Sequence, residues 1–330
     1  MADLAKQFKS FNEKIKLSES KKQSLRESRN ALRKDIRAEL KDQSDISVKF
    51  AGQGSYVLNT IVEPENGEYD IDDGVYFSCA MENRPSVKDA HSIVVSAVQR
   101  RKRTVEDKPT CVRVKYQDDR HIDMPIYFLE KLTEKFSLTA TDSPDLAHKK
   151  LGWVESDPRA FIEWFREKTG NNSQLIRLIR YLKVWREVRS KKYELPSGFC
   201  LTILTVNHYR PAARDDQSLV ATLQAIQNVI DDRHLKWGQF TCTRPTPKRE
   251  DLFEDFSDEQ KEFFLGELEL LLEDGKIALE DEDEYEACKI WAKYLGPRFK
   301  CDDLKSKRFE RAKKHAKATS LPGNASSAKQ

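Results

Sequence analysis

Through residues 2–43 the apolar positions Leu4, Phe8, Phe11 and Ile15, then Leu25, Leu32, Ile36 and Leu40, recur at multiples of three to four residues, with no Pro or Gly between them. That period puts the apolar side chains on one stripe of a helix, so one or two amphipathic helices are expected here as a spine across the fold. The next hundred residues change period. Runs at 48–51, 69–78, 111–116 and 121–129 are strand-like, and a helical stretch at 87–101 lies between them. The last two runs, joined by the polar turn Gln117-Asp118-Asp119-Arg120, read as a hairpin. From about residue 157 the pattern is helical, with one stripe at Leu175, Leu178, Ile179, Leu182 and Trp185 and another at Leu219, Leu223, Ile226 and Ile230. Pro245 and Pro247 mark a connector, Ser257 opens a helix that Gly275 can end, and Gly296-Pro297 stop the last one.

The patterns predict a mixed α/β (α+β) chain in four parts: a helical spine at 1–44, an α/β lobe at 45–156, a helical lobe at 157–299, and a basic tail at 300–330 expected to be disordered. A length of 330 residues suits two packed lobes, and 9% aromatic residues are too many for a disordered chain. The net charge of +3 says little about a nucleic-acid-binding body, because nine Lys/Arg against three Asp/Glu sit in residues 300–330. Six cysteines at least 13 residues apart, with no paired spacing, argue against a zinc site and are expected to be scattered reduced thiols. No apolar run has signal or membrane-spanning length, so a cytoplasmic protein with no membrane partner is expected.

The chemistry concentrates in Gly52-Gln53-Gly54-Ser55 and, fifteen residues after the serine, Asp70-Ile71-Asp72-Asp73-Gly74. Alternate side chains of a strand share a face, so Asp70 and Asp72 point together while Tyr69, Ile71 and Asp73 point the other way. Two carboxylates on one face repel unless a cation offsets them, and oxygen donors of this kind suit Mg²⁺. Asp73 is expected to be a turn or hydrogen-bonding residue rather than a ligand. In His121-Ile122-Asp123-Met124-Pro125, Asp123 alternates against apolar neighbours and is expected on the face away from them; if this strand lies beside the first, three aspartates converge as a two-metal phosphoryl-transfer centre needs. Gly54 and Ser55 can turn tightly and present amides and a hydroxyl to a phosphate. Absence of a Lys-Ser/Thr pair after them argues against a P-loop NTPase.

This succession, G-S, then D-x-D, then a later h-D-h, resembles the polymerase-β-type nucleotidyltransferases, and within them the bacterial cGAS/DncV-like nucleotidyltransferases. The likeness continues through Arg177-Leu178-Ile179-Arg180-Tyr181-Leu182-Lys183-Val184-Trp185, Leu195-Pro196-Ser197-Gly198 and Pro245-x-Pro247-x-x-Glu250-Asp251-Leu252, and so spans roughly residues 45–255. The resemblance implies a polymerase-β-type lobe, a helical lobe completing a nucleotide cleft, and two Mg²⁺ ions held by Asp70, Asp72 and Asp123. It implies that Gln53, Gly54, Ser55, Lys183 and Ser197 bind nucleotide, the last two at the donor triphosphate. It further implies synthesis of a cyclic dinucleotide from ATP and/or GTP, 3′,3′-cyclic GMP-AMP first among the products, acting on a separate effector in CBASS anti-phage defence, with no nucleic acid required.

Other readings carry less weight. A template-independent transferase acting on RNA or a small molecule shares the metal triad, and a nucleotide sensor with lost activity would have little reason to keep three aspartates. Taken without the resemblance, Lys183 is a rim residue of a packing helix and Ser197 a turn serine. His121 is read as structural, bonding across the hairpin. The run Arg100-Arg101-Lys102-Arg103 is read as cations closing a helix C-terminus.

Overall fold

The computed structural model describes residues 1–41, 45–63, 65, 67–99, 103–130, 143–190, 194–237, 241–246 and 248–319. The N-terminal stripe forms two helices, α1 (Ala5–Ile15) and α2 (Glu19–Glu39). Lys16 is extended and pairs with Val62, and Ser18 caps α2 by accepting from the Lys21 amide at 3.3 Å. This short break sends the helices to different cores. Phe8, Phe11 and Ile15 enter the core of the helical lobe, whereas Leu25, Leu32 and Ile36 pack on the sheet.

The α/β lobe runs β1 (Ser47–Gln53), α3 (Gly54–Val57), β2 (Tyr69–Ser78), α4 (Val87–Val98), β3 (Thr104–Asp107), β4 (Cys111–Lys115), β5 (Arg120–Phe128), β6 (Asp145–His148) and β7 (Gly152–Glu155). Strand order is β1-β2-β5-β4-β3, with β6 joining the far end of β5 and β7 joining β6. The β2–β5 pair is parallel and every other pair antiparallel, so β4 and β5 form the expected hairpin. Ile71, Val75, Ile122, Met124 and Ile126 face the core beneath α2 and α4. Strand alternation therefore turns Asp70, Asp72, His121 and Asp123 to the opposite face. Strands β3, β6 and β7, each of four residues and mostly half-buried, lack the apolar alternation that reveals longer strands.

The helical lobe comprises α5 (Pro158–Thr169), α6 (Ser173–Arg189), α7 (Gly198–His208), α8 (Asp215–Trp237), α9 (Asp258–Glu280), α10 (Glu284–Leu295) and α11 (Asp302–Thr319). Three expectations are corrected. Gly275 does not end its helix: it lies inside α9, where a Cβ would come within 2.9 Å of Val220 Cγ2 and 3.1 Å of Trp291, so its small size serves close packing. The tail is helical through Thr319, because Leu304 on its first turn is buried in the core. Cys288 and Cys301 form a disulfide, since Gly296-Pro297 turn the chain back and bring their Cα atoms to 5.9 Å. Cys79, Cys111, Cys200 and Cys242 are free and buried.

Arg103 donates to Asp35 Oδ2 at 2.7 Å and reaches the Val98 carbonyl at 3.4 Å, which closes α4 as expected of a cation there. Residues 100–102, Pro247 and 320–330, also named in the sequence reading, lie outside the described residues. No helix among the described residues is long and apolar enough to cross a membrane.

Candidate active site

The cleft between the lobes has a volume of about 830 Å³, and Gln53, Gly54, Ser55, Asp70, Asp72, Asp123 and Lys183 all line it. Register explains the acidic wall. Asp72 is the parallel partner of Asp123, and Asp70 that of His121. Asp70, His121 and Asp123 offer ligand atoms that all lie within 4.8 Å of one another. The Asp72 carboxylate instead rests against Gly54, whose backbone has φ +70° and where an added Cβ would sit 2.8 Å from Asp72 Cγ. Gly54 is thus required twice, for its left-handed backbone and for the space Asp72 occupies.

Asp73, on the other face, is fully buried and pairs with Arg33 of α2, whose Nε donates to Oδ2 at 2.7 Å, as expected of a hydrogen-bonding residue. His121 does not bond across the hairpin; its Nε2 lies 3.7 Å from Asp70 Oδ2 on the neighbouring parallel strand.

The electrostatics of the three carboxylates differ. Asp72 is pushed up to about 8, by burial first and then by the charges of Asp70 and Asp123. For Asp70 burial acts upward, yet His121, Arg113 and Lys183 together hold it below the ordinary carboxylate range. Asp123 is held by Arg113, its antiparallel partner on β4, through Nε–Oδ1 at 2.6 Å and Nη2–Oδ2 at 2.5 Å. Arg113 is a residue that the sequence reading missed. The signal was available in principle, since the hairpin register sets position 113 opposite 123, but it requires the exact turn.

On the facing wall, Lys183 of α6 is half-buried rather than a solvated rim residue, and it donates to Thr60 Oγ1 at 3.0 Å and the Thr60 carbonyl at 3.2 Å. Burial brings its ammonium down to about 8, against the pull of Asp70 and Asp72. Thr60 in turn donates its amide to the Ser55 carbonyl at 2.9 Å, so Lys183 and the Gly54-Ser55 turn are two links apart. Gln53 donates to Tyr127 Oη at 3.1 Å. Ser197 is not brought into the cleft lining. It is the exposed N-cap of α7, accepting from the Cys200 amide at 3.2 Å, while Gly198 and Phe199 beside it line the cleft. Arg244, stacked on Phe199 at 5.1 Å, also lines the cleft and was not anticipated.

Comparison with known proteins agrees with this fold. Residues 48–127 match the family described as cyclic GMP-AMP synthase DncV-like, nucleotidyltransferase domain. A cyclic GMP-AMP synthase of Escherichia albertii is 29% identical over 215 residues, covering 60% of this chain and 45% of that protein, so the chain spans about half the length of this curated relative. Among solved structures, the Vibrio cholerae DncV cyclic AMP-GMP synthase superposes with a TM-score of 0.74 at 19% identity, over 92% of this chain and 99% of that one. The same enzyme in complex with a linear intermediate, 5′ pppA(3′,5′)pG, gives 0.73 at 19% identity, over 92% and 97%. Residues 48–127, which carry the acidic strand pair, are thus similar to the nucleotidyltransferase domain of the DncV-like family, and the fold of the chain is that of the solved Vibrio cholerae enzyme.

Proposed function

We propose that the chain synthesises a cyclic dinucleotide from ATP and/or GTP. The observation that carries this reading is the single cleft in which Asp70, Asp72 and Asp123 stand beside the Gly54-Ser55 turn and opposite Lys183. Its volume lies toward the upper end of the roughly 300–1,000 Å³ usual for small-molecule sites, which suits two nucleotides. The name of the Escherichia albertii relative and the linear dinucleotide bound by the Vibrio cholerae enzyme support the same product class. We take 3′,3′-cyclic GMP-AMP as the leading product and a separate effector in cytoplasmic CBASS anti-phage defence as its target.

Asp70, Asp72 and Asp123 are assigned to two Mg²⁺ ions. The donor oxygens fit such ions, and Asp72, raised by burial first and then by the charges of Asp70 and Asp123, lacks a counter-charge that a divalent cation would supply. Ions held there would lower the pKa of an attacking hydroxyl and neutralise charge on the phosphates. Asp123, once it leaves Arg113, orients the acceptor 3′-hydroxyl and draws its proton. Ser55, the amides of the Gly54 turn and Lys183 hold the donor triphosphate, with Gln53 fixing the turn. Ser197 is assigned to the same phosphates, by rotation of its hydroxyl away from the Cys200 amide. A bond forms from the 3′-oxygen to the α-phosphorus as pyrophosphate leaves, and a second transfer in the same cleft closes the ring.

Purified protein incubated with all four NTPs and Mg²⁺ should yield a cyclic dinucleotide and pyrophosphate by mass spectrometry. The Asp70→Asn/Asp72→Asn variant should yield neither. Transfer of nucleotides to added RNA or to a small-molecule acceptor, with no cyclic product, would reject the synthase reading in favour of a template-independent transferase.

A further inference from the structure

A second pocket of about 390 Å³ lies between the C-terminus of α5, the N-terminus of α6, α1 and the segment after α3. Arg180 forms its floor. This residue is only 6% exposed, and its three hydrogen bonds go to neutral oxygens: Asn12 Oδ1 at 2.9 Å, the Asn59 carbonyl at 2.5 Å and Asn59 Oδ1 at 3.1 Å. Its Nε–H is buried without an acceptor, and among the described residues no carboxylate lies within ion-pair distance. Glu13, whose charge acts on Arg180, is linked to it through Asn12, which donates to Glu13 at 3.1 Å. A buried guanidinium without a counterion is costly, and such groups are normally paired.

The other charges around the pocket do not supply the missing anion. Arg177 is already matched by Asp215, with Nε–Oδ2 at 2.6 Å and Nη2–Oδ1 at 2.7 Å. Arg166, exposed at the end of α5, is a further cation, and among the described residues no Asp or Glu lines the pocket. The first-turn amides of α6 lack intrahelical acceptors, and the cap residue Asn172 satisfies that of Leu175 at 3.0 Å. Phe165 and Ile176 make part of the wall apolar. We infer that this pocket binds a small organic phosphate, its phosphoryl group between Arg180, Arg166 and the start of α6 and its apolar part against Phe165 and Ile176.

The site is separate from the acidic cleft but adjoins it. Asn59, which Arg180 holds, immediately precedes Thr60, which Lys183 holds, and Leu58 lines both spaces. The inference does not depend on the synthase reading, since it rests on Arg180, Arg166 and the start of α6 and not on the acidic cleft.

Phenyl phosphate titrated calorimetrically into the full chain tests it. Saturable one-site binding at about 1 mM or tighter is expected, the affinity range for a ligand of this size. Arg166→Glu should weaken it at least about tenfold, or ~1.4 kcal/mol. Lys183→Ala, in the acidic cleft, should leave it within about twofold. Arg180→Lys, which keeps the charge but loses the fork and Nε–H, should weaken binding in a variant shown by circular dichroism to be folded. Absence of saturable binding, or binding lost with Lys183→Ala and kept with Arg166→Glu, overturns the assignment.

Discussion

Asp123 gives both carboxylate oxygens to Arg113, the residue directly opposite it on the neighbouring strand. A bidentate guanidinium and a divalent cation compete for the same lone pairs. Arg113→Gln should therefore increase the gain in melting temperature on adding Mg²⁺, while lowering stability in metal-free buffer by about 1.5–3 kcal/mol, the scale of hydrogen bonds to charged groups. A Mg²⁺-induced gain no larger than that of the unaltered protein would show that Asp123 is not a ligand.

The pH dependence of stability should carry two opposing signatures in metal-free buffer. Asp72 titrates near about 8 when folded and near about 3.9 when unfolded, so the folded state binds more protons between these values and stability falls as pH rises through them. Lys183 titrates near about 8 when folded and about 10.4 when unfolded, so the folded state binds fewer protons there and stability recovers over that window. Urea titrations from pH 5 to 10 should show the joint minimum near pH 8. Asp72→Asn should remove the falling limb and Lys183→Met the rising one; if either variant keeps its limb, that residue is not the source.

Lys183 is placed to serve either the loop or the phosphates, and kinetics distinguish the two. Lys183→Ala should lower kcat/KM about 10- to 100-fold, which corresponds to ~1.4–2.8 kcal/mol. Thr60→Val removes the lysine's side-chain acceptor while sparing its charge, and should cost less than about threefold. Equal losses in the two variants would make Lys183 an anchor for the loop and withdraw it from triphosphate binding.

At Gly54, alanine meets two obstacles, a positive φ and the Asp72 carboxylate. Gly54→Ala should lose about 1–3 kcal/mol of stability together with nearly all activity. Combining it with Asp72→Ala should cost less than the sum of the single changes, because the second change removes the collision. Strict additivity in denaturant titrations would mean that the backbone conformation is the whole cause.

Gly275→Ala sets helix propensity against packing. Alanine gains up to about 1 kcal/mol inside a helix, but the Cβ crowds Val220 and Trp291, and overpacking costs about 1–3 kcal/mol. A net loss is expected, reversed in part by Val220→Ala. A more stable Gly275→Ala protein would show that the α8–α9–α10 contact yields readily.

The acidic strands were legible because their apolar partners alternate cleanly: Ile71 against Asp70 and Asp72, Ile122 and Met124 against Asp123. Period-two burial fixes a face without knowledge of any partner. Arg113 and His121 belong to relationships between strands, Arg113 with Asp123 and His121 with Asp70, which depend on register. Local pattern does not specify that register. The disulfide, the role of Gly275 and the helix after Lys300 escaped for a related reason: each is decided by what a later element packs against it. Lys183 was singled out by resemblance, and its burial against Thr60 follows from the docking of two lobes.

The division of the N-terminal helices between two cores has a consequence in time. Phe8 of α1 packs edge-on against Trp291 and Phe299, and the Ala2 amide donates to the Asp281 carbonyl at 2.6 Å. Those partners emerge from the ribosome nearly three hundred residues after α1. At about 5–20 residues per second, that is a delay of roughly 15–60 s before the α1 stripe is fully covered, although Tyr181 of α6 reaches Phe8 and Phe11 earlier. α2 waits only for the sheet that its own stripe covers, some ninety residues behind it. The lobe bearing the aspartates can therefore assemble around α2 while synthesis continues, and the packing of α1, made before it, is completed last.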